Sequence, residues 1–236
     1  QEAYPDDWQS IVAAGNGPPP MALRVNLRRS ERDSYQARLA VEGIVATPAG
    51  EAGLMLAKPL PVDRLPGFAD GLVSVQDPGA QMAASLLDPA PGSRVLDACA
   101  APGGKTAHLL ERAELELLAL DLKPSRCRRI AESLGRLGLK ADIKDADCAK
   151  LNTWWDGQPF DAVLADVPCT ASGVVRRNPD SKWLRREEDV ASFARTQSRI
   201  LDALWQVVRP GGKLLYVTCS VFPAENGEQI ADFLAR

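Results

Sequence analysis

Two cysteines in unusual settings hold the reactive chemistry of this 236-residue chain. Cys169 lies in Asp166-Val167-Pro168-Cys169-Thr170, directly after an apolar run ending in Leu164-Ala165. Cys219 lies in Tyr216-Val217-Thr218-Cys219-Ser220, at the end of a second apolar run. Both runs read as strands, so both thiols fall at carboxyl ends of predicted strands, the place where open α/β sheets bind ligands. A thiol is partly ionised near neutral pH and is intrinsically nucleophilic. Cationic groups beside a strand-end site would lower its pKa further. Asp166 supplies a carboxylate next to the first of the two thiols. The chemistry these types permit is covalent addition to an electrophilic substrate carbon.

Upstream, Asp97-Ala98-Cys99-Ala100-Ala101-Pro102-Gly103-Gly104-Lys105 supplies a strand followed by a glycine-rich turn. Such a turn lets a ligand approach backbone amides at a helix start. It is neither the spaced dinucleotide fingerprint nor a Walker loop, although Gly104-Lys105-Thr106 imitates the Walker ending. Asp121 follows the second strand, where an acid accepts hydrogen bonds from ribose hydroxyls. Asp147 follows the third, where it could meet an adenine amino group; Asp142 and Asp145 are equally near, and an exposed loop acid is the plain reading.

These residues need a scaffold, and from about residue 91 strand and helix patterns alternate as in a parallel sheet with helices on both faces. Strands are expected at 94–98, 115–120, 141–144, 161–165 and 213–218, with helices at 104–113, 124–137, 187–208 and 223–235. Pro124 fits a first helical position and Gly138 a C-terminal stop. Pro210-Gly211-Gly212 reads as a turn before the last strand. In the long helix Val190, Phe193, Ile200, Leu201, Leu204, Trp205 and Val208 form a stripe that should pack on the sheet. Residues 1–90 read as a separate small α+β module: a short helix-like start, strand-like 22–27, a helix capped by Ser30, strand-like 54–57 and 73–75, and a helix from Asp77-Pro78 to Leu87. The expected division is therefore 1–90 and 91–236.

Composition bounds the partners. Five cysteines at irregular spacing argue against a disulfide framework and fit a reducing cytosol. Cys127 and Cys148 have no neighbouring pattern and read as inert. A single histidine, His108, and no CxxC pair make a zinc site or a Ser-His-Asp triad improbable, so no metal is expected. No apolar stretch approaches a membrane span, and the segment from Gln1 to Asp7 does not resemble a signal peptide. The chain does not begin with Met and reads as a fragment. A cytoplasmic monomer is the expectation. The net charge of −3 excludes a wholesale electrostatic nucleic-acid binder, so contact must come from local patches. Arg176, Arg177, Lys182, Arg185 and Arg186 form one such patch, interrupted only by Asp180. It is either a solvated basic loop or, because Trp183 lies within it, a surface on which bases stack. A second group, Arg24, Arg28, Arg29 and Arg32, is diluted by Glu31 and Asp33 and reads as solvated surface.

Assembled in this order, the segments 97–105, 166–170, 176–180 and 218–220 closely resemble the Sun/Fmu (RsmB) type of 16S rRNA cytosine-5 methyltransferase, within the NOL1/NOP2/Sun group. The resemblance covers nearly the whole chain. It implies a Rossmann-like S-adenosylmethionine-dependent methyltransferase sheet preceded by an RNA-facing subdomain. It implies that Cys99, Ala100, Ala101, Pro102, Gly103, Gly104, Lys105, Asp121, Asp147 and Asp166 contact S-adenosylmethionine. Cys219 would be the nucleophile toward cytosine C6, Asp166 would hydrogen-bond or protonate the base, and Cys169 would assist release of the methylated RNA. Small-subunit ribosomal RNA would be the partner, held in part by Arg176, Arg177, Lys182 and Trp183. The type also implies a NusB-like helical domain ahead of this region and a β-hairpin after the last helix, neither of which falls within these residues. A reversed assignment stays open, because DNA cytosine-5 methyltransferases use a Pro-Cys at the corresponding strand end. Open too are the same chemistry on tRNA or large-subunit rRNA, a silent RNA-binding module, and, more remotely, a nicotinamide-dependent oxidoreductase.

Overall fold

The computed structural model describes residues 3–236, so Gln1 and Glu2 of the N-terminal segment read above lie outside the described residues. The small module runs through α1 (Trp8–Gly15), β1 (Met21–Val25), α2 (Arg32–Val41), β2 (Ala46–Pro48), β3 (Gly53–Leu56), β4 (Val73–Val75) and α3 (Pro78–Leu87). The larger unit follows as β5 (Arg94–Asp97), α4 (Gly104–Arg112), β6 (Glu116–Asp121), α5 (Pro124–Leu137), β7 (Asp142–Asp145) and β8 (Phe160–Asp166). It closes with α6 (Ser181–Leu184), α7 (Glu187–Trp205), β9 (Val208–Val217) and α8 (Gly227–Leu234).

The five strands of the larger unit pair in parallel in the order β7-β6-β5-β8-β9. The order in which strands are added reverses between β5 and β8, which makes the carboxyl ends of those two strands the topological switch point. Apolar runs such as Val163-Leu164-Ala165 in β8 are buried on both faces, as a covered parallel sheet requires. Ile130, Leu134 and Leu137 of α5, with Ala84 and Leu87 of α3, pack on one face. Ile200 and Leu204 of α7, with Trp154, pack on the other. No described helix is long and apolar enough to cross a membrane.

The four-stranded sheet of the small module is antiparallel in the order β2-β3-β1-β4. Tyr35 and Leu39 of α2 join its core, beside Leu23, Val25, Leu54 and Val73. Arg24 does not follow the solvated reading given to its group. It is fully buried, and its Nε and Nη2 each donate at 2.8 Å to the carboxylate of Glu111 on α4. Its Nη1 donates to Gln76 Oε1 at 2.5 Å and to the carbonyl of Gly104 at 2.8 Å. A strand of the small sheet is thereby bolted to the helix that follows the glycine-rich turn. The alternation of β1 hid this, because an arginine between Leu23 and Val25 reads as facing water.

Three other expectations shift. Ser30 does not cap α2: the residue before the helix is Glu31, and Ser30 Oγ reaches only the Glu31 carbonyl. The turn expected at residues 210–212 lies inside β9, whose pairing with β8 slips in register between Phe160 and Ala162. The helix expected at 223–235 is broken, with a 3-10 turn at Pro223–Glu225 and α8 starting only at Gly227. Asn226 leaves the helix there because its side chain donates to the carbonyls of Ser220 and Phe222.

Candidate active site

The carboxyl ends of β5, β6, β8 and β9 and the loop beyond β7 open into one cleft of about 350 Å³. Cys99, Ala101, Asp121, Asp147, Asp166, Cys169 and Cys219 all line it, so seven of the expected site residues meet in one place. Ala100 is buried behind the turn, and Gly103 and Gly104 begin α4. Gly103 takes φ +97°, and a Cβ there would lie 3.2 Å from Ile130 Cα on α5, so only glycine permits this turn so close to the next helix. The Ala101–Pro102 peptide is cis. Pro102 faces α5, where its carbonyl accepts from Ser133 Oγ at 3.0 Å.

Lys105, in the first turn of α4, reaches across to Asp166 with Nζ–Oδ2 at 2.6 Å. Asp166 is thereby held at the mouth of β8 beside the cysteine loop. Asp121 at the end of β6 accepts from the Ala101 amide at 3.2 Å and pairs with Arg126 at 3.1 Å. Asp147 accepts from the Ala149 amide at 3.1 Å and keeps its loop closed. Cys148 is not simply remote and inert: its sulfur lies 3.9 Å from that of Cys99 on the cleft wall. The hydrogen bond between Cys99 and Cys148, together with burial, pushes the Cys99 thiol up, which keeps it protonated and unreactive. Beneath the turn, burial raises the Asp97 carboxyl to about 7, opposed by the Thr106 hydroxyl donating at 2.7 Å.

The two candidate thiols meet at 3.3 Å between sulfurs. Cys169 is 9% exposed, whereas Cys219 is open to solvent. Donation from Cys219 pulls Cys169 down to about 7, against burial, with help from the amides of Ala171 and Cys219. The same shared proton holds the Cys219 thiol up. The pair therefore loses its first proton easily and its second with difficulty, a property of both sulfurs jointly. The loops are knit by backbone as well. The Gly173 amide donates to the Cys219 carbonyl at 2.8 Å, and a Cβ at Gly173 would clash with that oxygen at 2.8 Å.

The basic segment lies outside the cleft, and its cations are not free. Arg176 Nε donates to the Ala14 carbonyl at 2.5 Å, and Lys182 Nζ to the Gly15 carbonyl at 2.8 Å. These are the last carbonyls of α1, where cations are favoured. Arg177 reaches the Pro20 carbonyl at 3.0 Å and Asp77 at 3.4 Å. Arg185 donates to the Thr170 carbonyl at 2.7 Å and sits over Phe193. Trp183 stands out, 88% exposed, with Leu184 beside it also open to solvent.

Sequence reading missed Glu225, which is fully buried directly below both thiol loops. It also missed Gln197 of α7, which donates to the Pro168 carbonyl and to Glu225, each at 3.0 Å. The available signal was Glu225-Asn226 interrupting an otherwise helical run.

Residues 84–236 match the family model described as 16S rRNA methyltransferase RsmB/F. Residues 1–63 match one described as a RsmF/B-like, ferredoxin-like domain. The chain is 50% identical over 239 aligned positions to ribosomal RNA small subunit methyltransferase B of Vibrio cholerae, covering 100% of this chain and 55% of that protein. It is 54% identical to the protein of the same name from Xylella fastidiosa, covering 98% and 55%. The chain thus spans about half the length of these relatives. Among solved structures, a methyltransferase homolog from Pyrococcus horikoshii superposes with TM-score 0.87 at 30% identity, covering 100% of this chain and 76% of that one.

Proposed function

The chain belongs to the 16S rRNA methyltransferase RsmB/F family, and on that premise we propose that it methylates cytosine C5 in small-subunit ribosomal RNA, using S-adenosylmethionine in the cytoplasm. The observation that carries this reading is the pair of thiols 3.3 Å apart at the mouth of a carboxylate-lined cleft. Residues 1–90 would face the RNA and 91–236 perform the chemistry, with Trp183 free to stack on a base and Arg176, Arg177 and Lys182 holding the segment that presents it.

The residues present fit the cofactor. Three carboxylates, Asp121, Asp147 and Asp166, converge on the cleft from successive strand ends, suited to ribose hydroxyls, an adenine amino group and a cationic head. The turn of residues 99–105 supplies close backbone, and Gly103 keeps the approach free of a Cβ. When bound there, S-adenosylmethionine supplies an electrophilic methyl group.

Cytosine C5 is a poor nucleophile until C6 is saturated. In the proposed course the Cys219 sulfur forms a bond to C6 while its proton passes to the Cys169 thiolate. The electron pair of the C5–C6 double bond becomes available at C5, which takes the methyl group. Asp166, fixed by Lys105, steadies the charge that develops on the ring through hydrogen bonding. Once Cys169 has passed the proton it accepted to solvent, its thiolate or a water it positions takes the C5 proton, which restores the double bond, breaks the C6–S bond and returns Cys219 as a thiolate. Reaching C6 requires an unstacked or flipped nucleotide. The second reading makes Cys169 the nucleophile. Its support is the ionisation of Cys169 at about 7, and its difficulty is burial.

The test is a Cys169→Ala variant incubated with small-subunit rRNA and S-adenosylmethionine and run on a denaturing gel. A protein–RNA adduct that vanishes when Cys219 is also changed supports the first reading. An adduct formed by Cys219→Ala instead supports the second. Absence of any adduct or methylation from the wild-type protein, with cofactor bound, would count against RNA cytosine chemistry.

A further inference from the structure

We propose that Glu225 is the positioning residue that holds Cys169 and Cys219 within reach of each other, an inference that rests on the paired-thiol chemistry above. Glu225 closes the 3-10 turn at the end of the Cys219 loop, is fully buried, and is remote in sequence from the Cys169 loop. Its carboxylate nevertheless grips both. Oε1 accepts from the Thr170 amide at 2.9 Å and from Gln197 Nε2 at 3.0 Å. Oε2 accepts from the Thr170 hydroxyl at 2.5 Å and from the Ser220 hydroxyl. Thr170 is the neighbour of one thiol and Ser220 the neighbour of the other, and the same oxygen takes both.

Proton counting extends the network. The single hydroxyl protons of Thr170 and Ser220 go to Glu225, so at the 3.1 Å contact between Ser172 and Ser220 the donor is Ser172. Ser172 Oγ in turn accepts the Val221 amide at 2.9 Å, and Ser220 Oγ accepts the Phe222 amide at 3.1 Å. Four side chains thus lock the loop after β8 to the loop after β9, with one carboxylate as the keystone. Backbone links also join the two loops, Val167 to Val217 at 3.1 Å and the Gly173 amide to the Cys219 carbonyl at 2.8 Å, but none of them holds Thr170 or Ser220. A carboxylate is required because an amide offers only one acceptor atom where donors arrive at two. Buried networks in which both carboxylate oxygens are satisfied rigidify a site.

The test is Glu225→Gln, with Ser220→Ala as a milder variant that leaves the carboxylate in place. Iodoacetamide labelling of Cys169 and Cys219 together is followed against pH by peptide mass spectrometry, without RNA, on protein whose melting temperature shows it folded. In the wild type, labelling of the pair rises with its first ionisation, which falls on Cys169 at about 7. With the clamp slackened the sulfurs separate and the midpoint moves up by about one unit or more, roughly tenfold less labelling at neutral pH. Ser220→Ala moves it the same way by less. The sign discriminates, because a carboxylate acting only through its negative charge would, on removal, move the midpoint down. A downward or absent shift in folded Glu225→Gln, or an absent shift in Ser220→Ala if the first variant does not fold, overturns the proposal. In methylation assays the clamp predicts a fall in kcat with the KM for S-adenosylmethionine retained. Failure of the wild type to methylate any RNA would sink the functional reading while the titration still judged the clamp.

Discussion

Lys105 Nζ and Asp166 Oδ2 stand 2.6 Å apart, joining the first turn of α4 to the end of β8. The pair is partly shielded, with side chains 17% and 30% exposed. Its effect is therefore on orientation more than on stability. It sets the carboxylate beside the thiols on a group that itself closes the glycine-rich turn.

Lys105→Met should accordingly leave the melting temperature nearly unchanged and lower methylation by roughly a hundredfold, the scale seen when a preorganised polar group is removed. Single-turnover rates with excess rRNA measure this. A variant with near-wild-type turnover would remove the pair from the chemistry.

Arg24 and Glu111 form a buried bidentate ion pair between the small sheet and α4. Breaking it from one side leaves an uncompensated buried charge, costing about 3–5 kcal/mol. Arg24→Met should show that loss in denaturant unfolding, and Arg24→Met with Glu111→Leu should recover most of it. Equal loss in the double variant would mean that Arg24 acts mainly through Gln76 and Gly104.

Asp97 and His108 should tilt stability against pH in opposite directions. Asp97 rises on folding from 3.8 to about 7, so between those values the folded state holds the extra proton and stability falls as pH rises. His108 drops from 6.5 to about 3, chiefly through burial, so there the unfolded state holds the extra proton and stability rises with pH. Each slope is on the order of 1.4 kcal/mol per pH unit where the windows overlap, and in the wild type they offset. Asp97→Asn should unmask the rising slope and His108→Leu the falling one, read from unfolding between about pH 4.5 and pH 6.5. Curves parallel to the wild type would refute both assignments.

Trp183→Ala should leave stability untouched, since the ring is 88% exposed. If the ring stacks on a nucleotide, rRNA affinity should drop roughly tenfold or more, from about 1–3 kcal/mol per stacked base. Filter binding at fixed salt decides it, and unchanged affinity removes Trp183 from the interface.

The strand-end placement of Cys169 and Cys219 was legible because long apolar runs and glycine-rich punctuation mark a parallel sheet, and the ends of its strands gather by topology alone. Asp121 and Asp147 were legible for the same reason. Glu225 was not, since a glutamate after Pro223 looks like an ordinary helix start, and only folding brings it beneath Thr170, 55 positions earlier. Arg24 was obscured likewise: its partner Glu111 is 87 positions away, and nothing local distinguishes a bolted arginine from a solvated one. Pairwise chemistry between distant segments lies in the topology, whereas the periodicity of a single segment reports only which way it faces.

Tyr4 donates to the carbonyl of Val221 at 2.6 Å, a contact spanning 217 positions of chain. Arg176 and Lys182 pin α1 beside it. The ribosome delivers residues in order, so α1, the small sheet and the first four strands of the larger sheet are made before β9 and the loop that carries Cys219. On the emerging polypeptide Cys169 has neither its partner sulfur nor the carboxylate of Glu225, and it behaves as an ordinary thiol. Reactivity is thus the last property the chain acquires in its own synthesis, and closure of the site must wait for its slowest, most distant contacts. A nascent copy is for the same reason chemically quiet: it lacks the paired sulfurs until the last strand and its loop are in place.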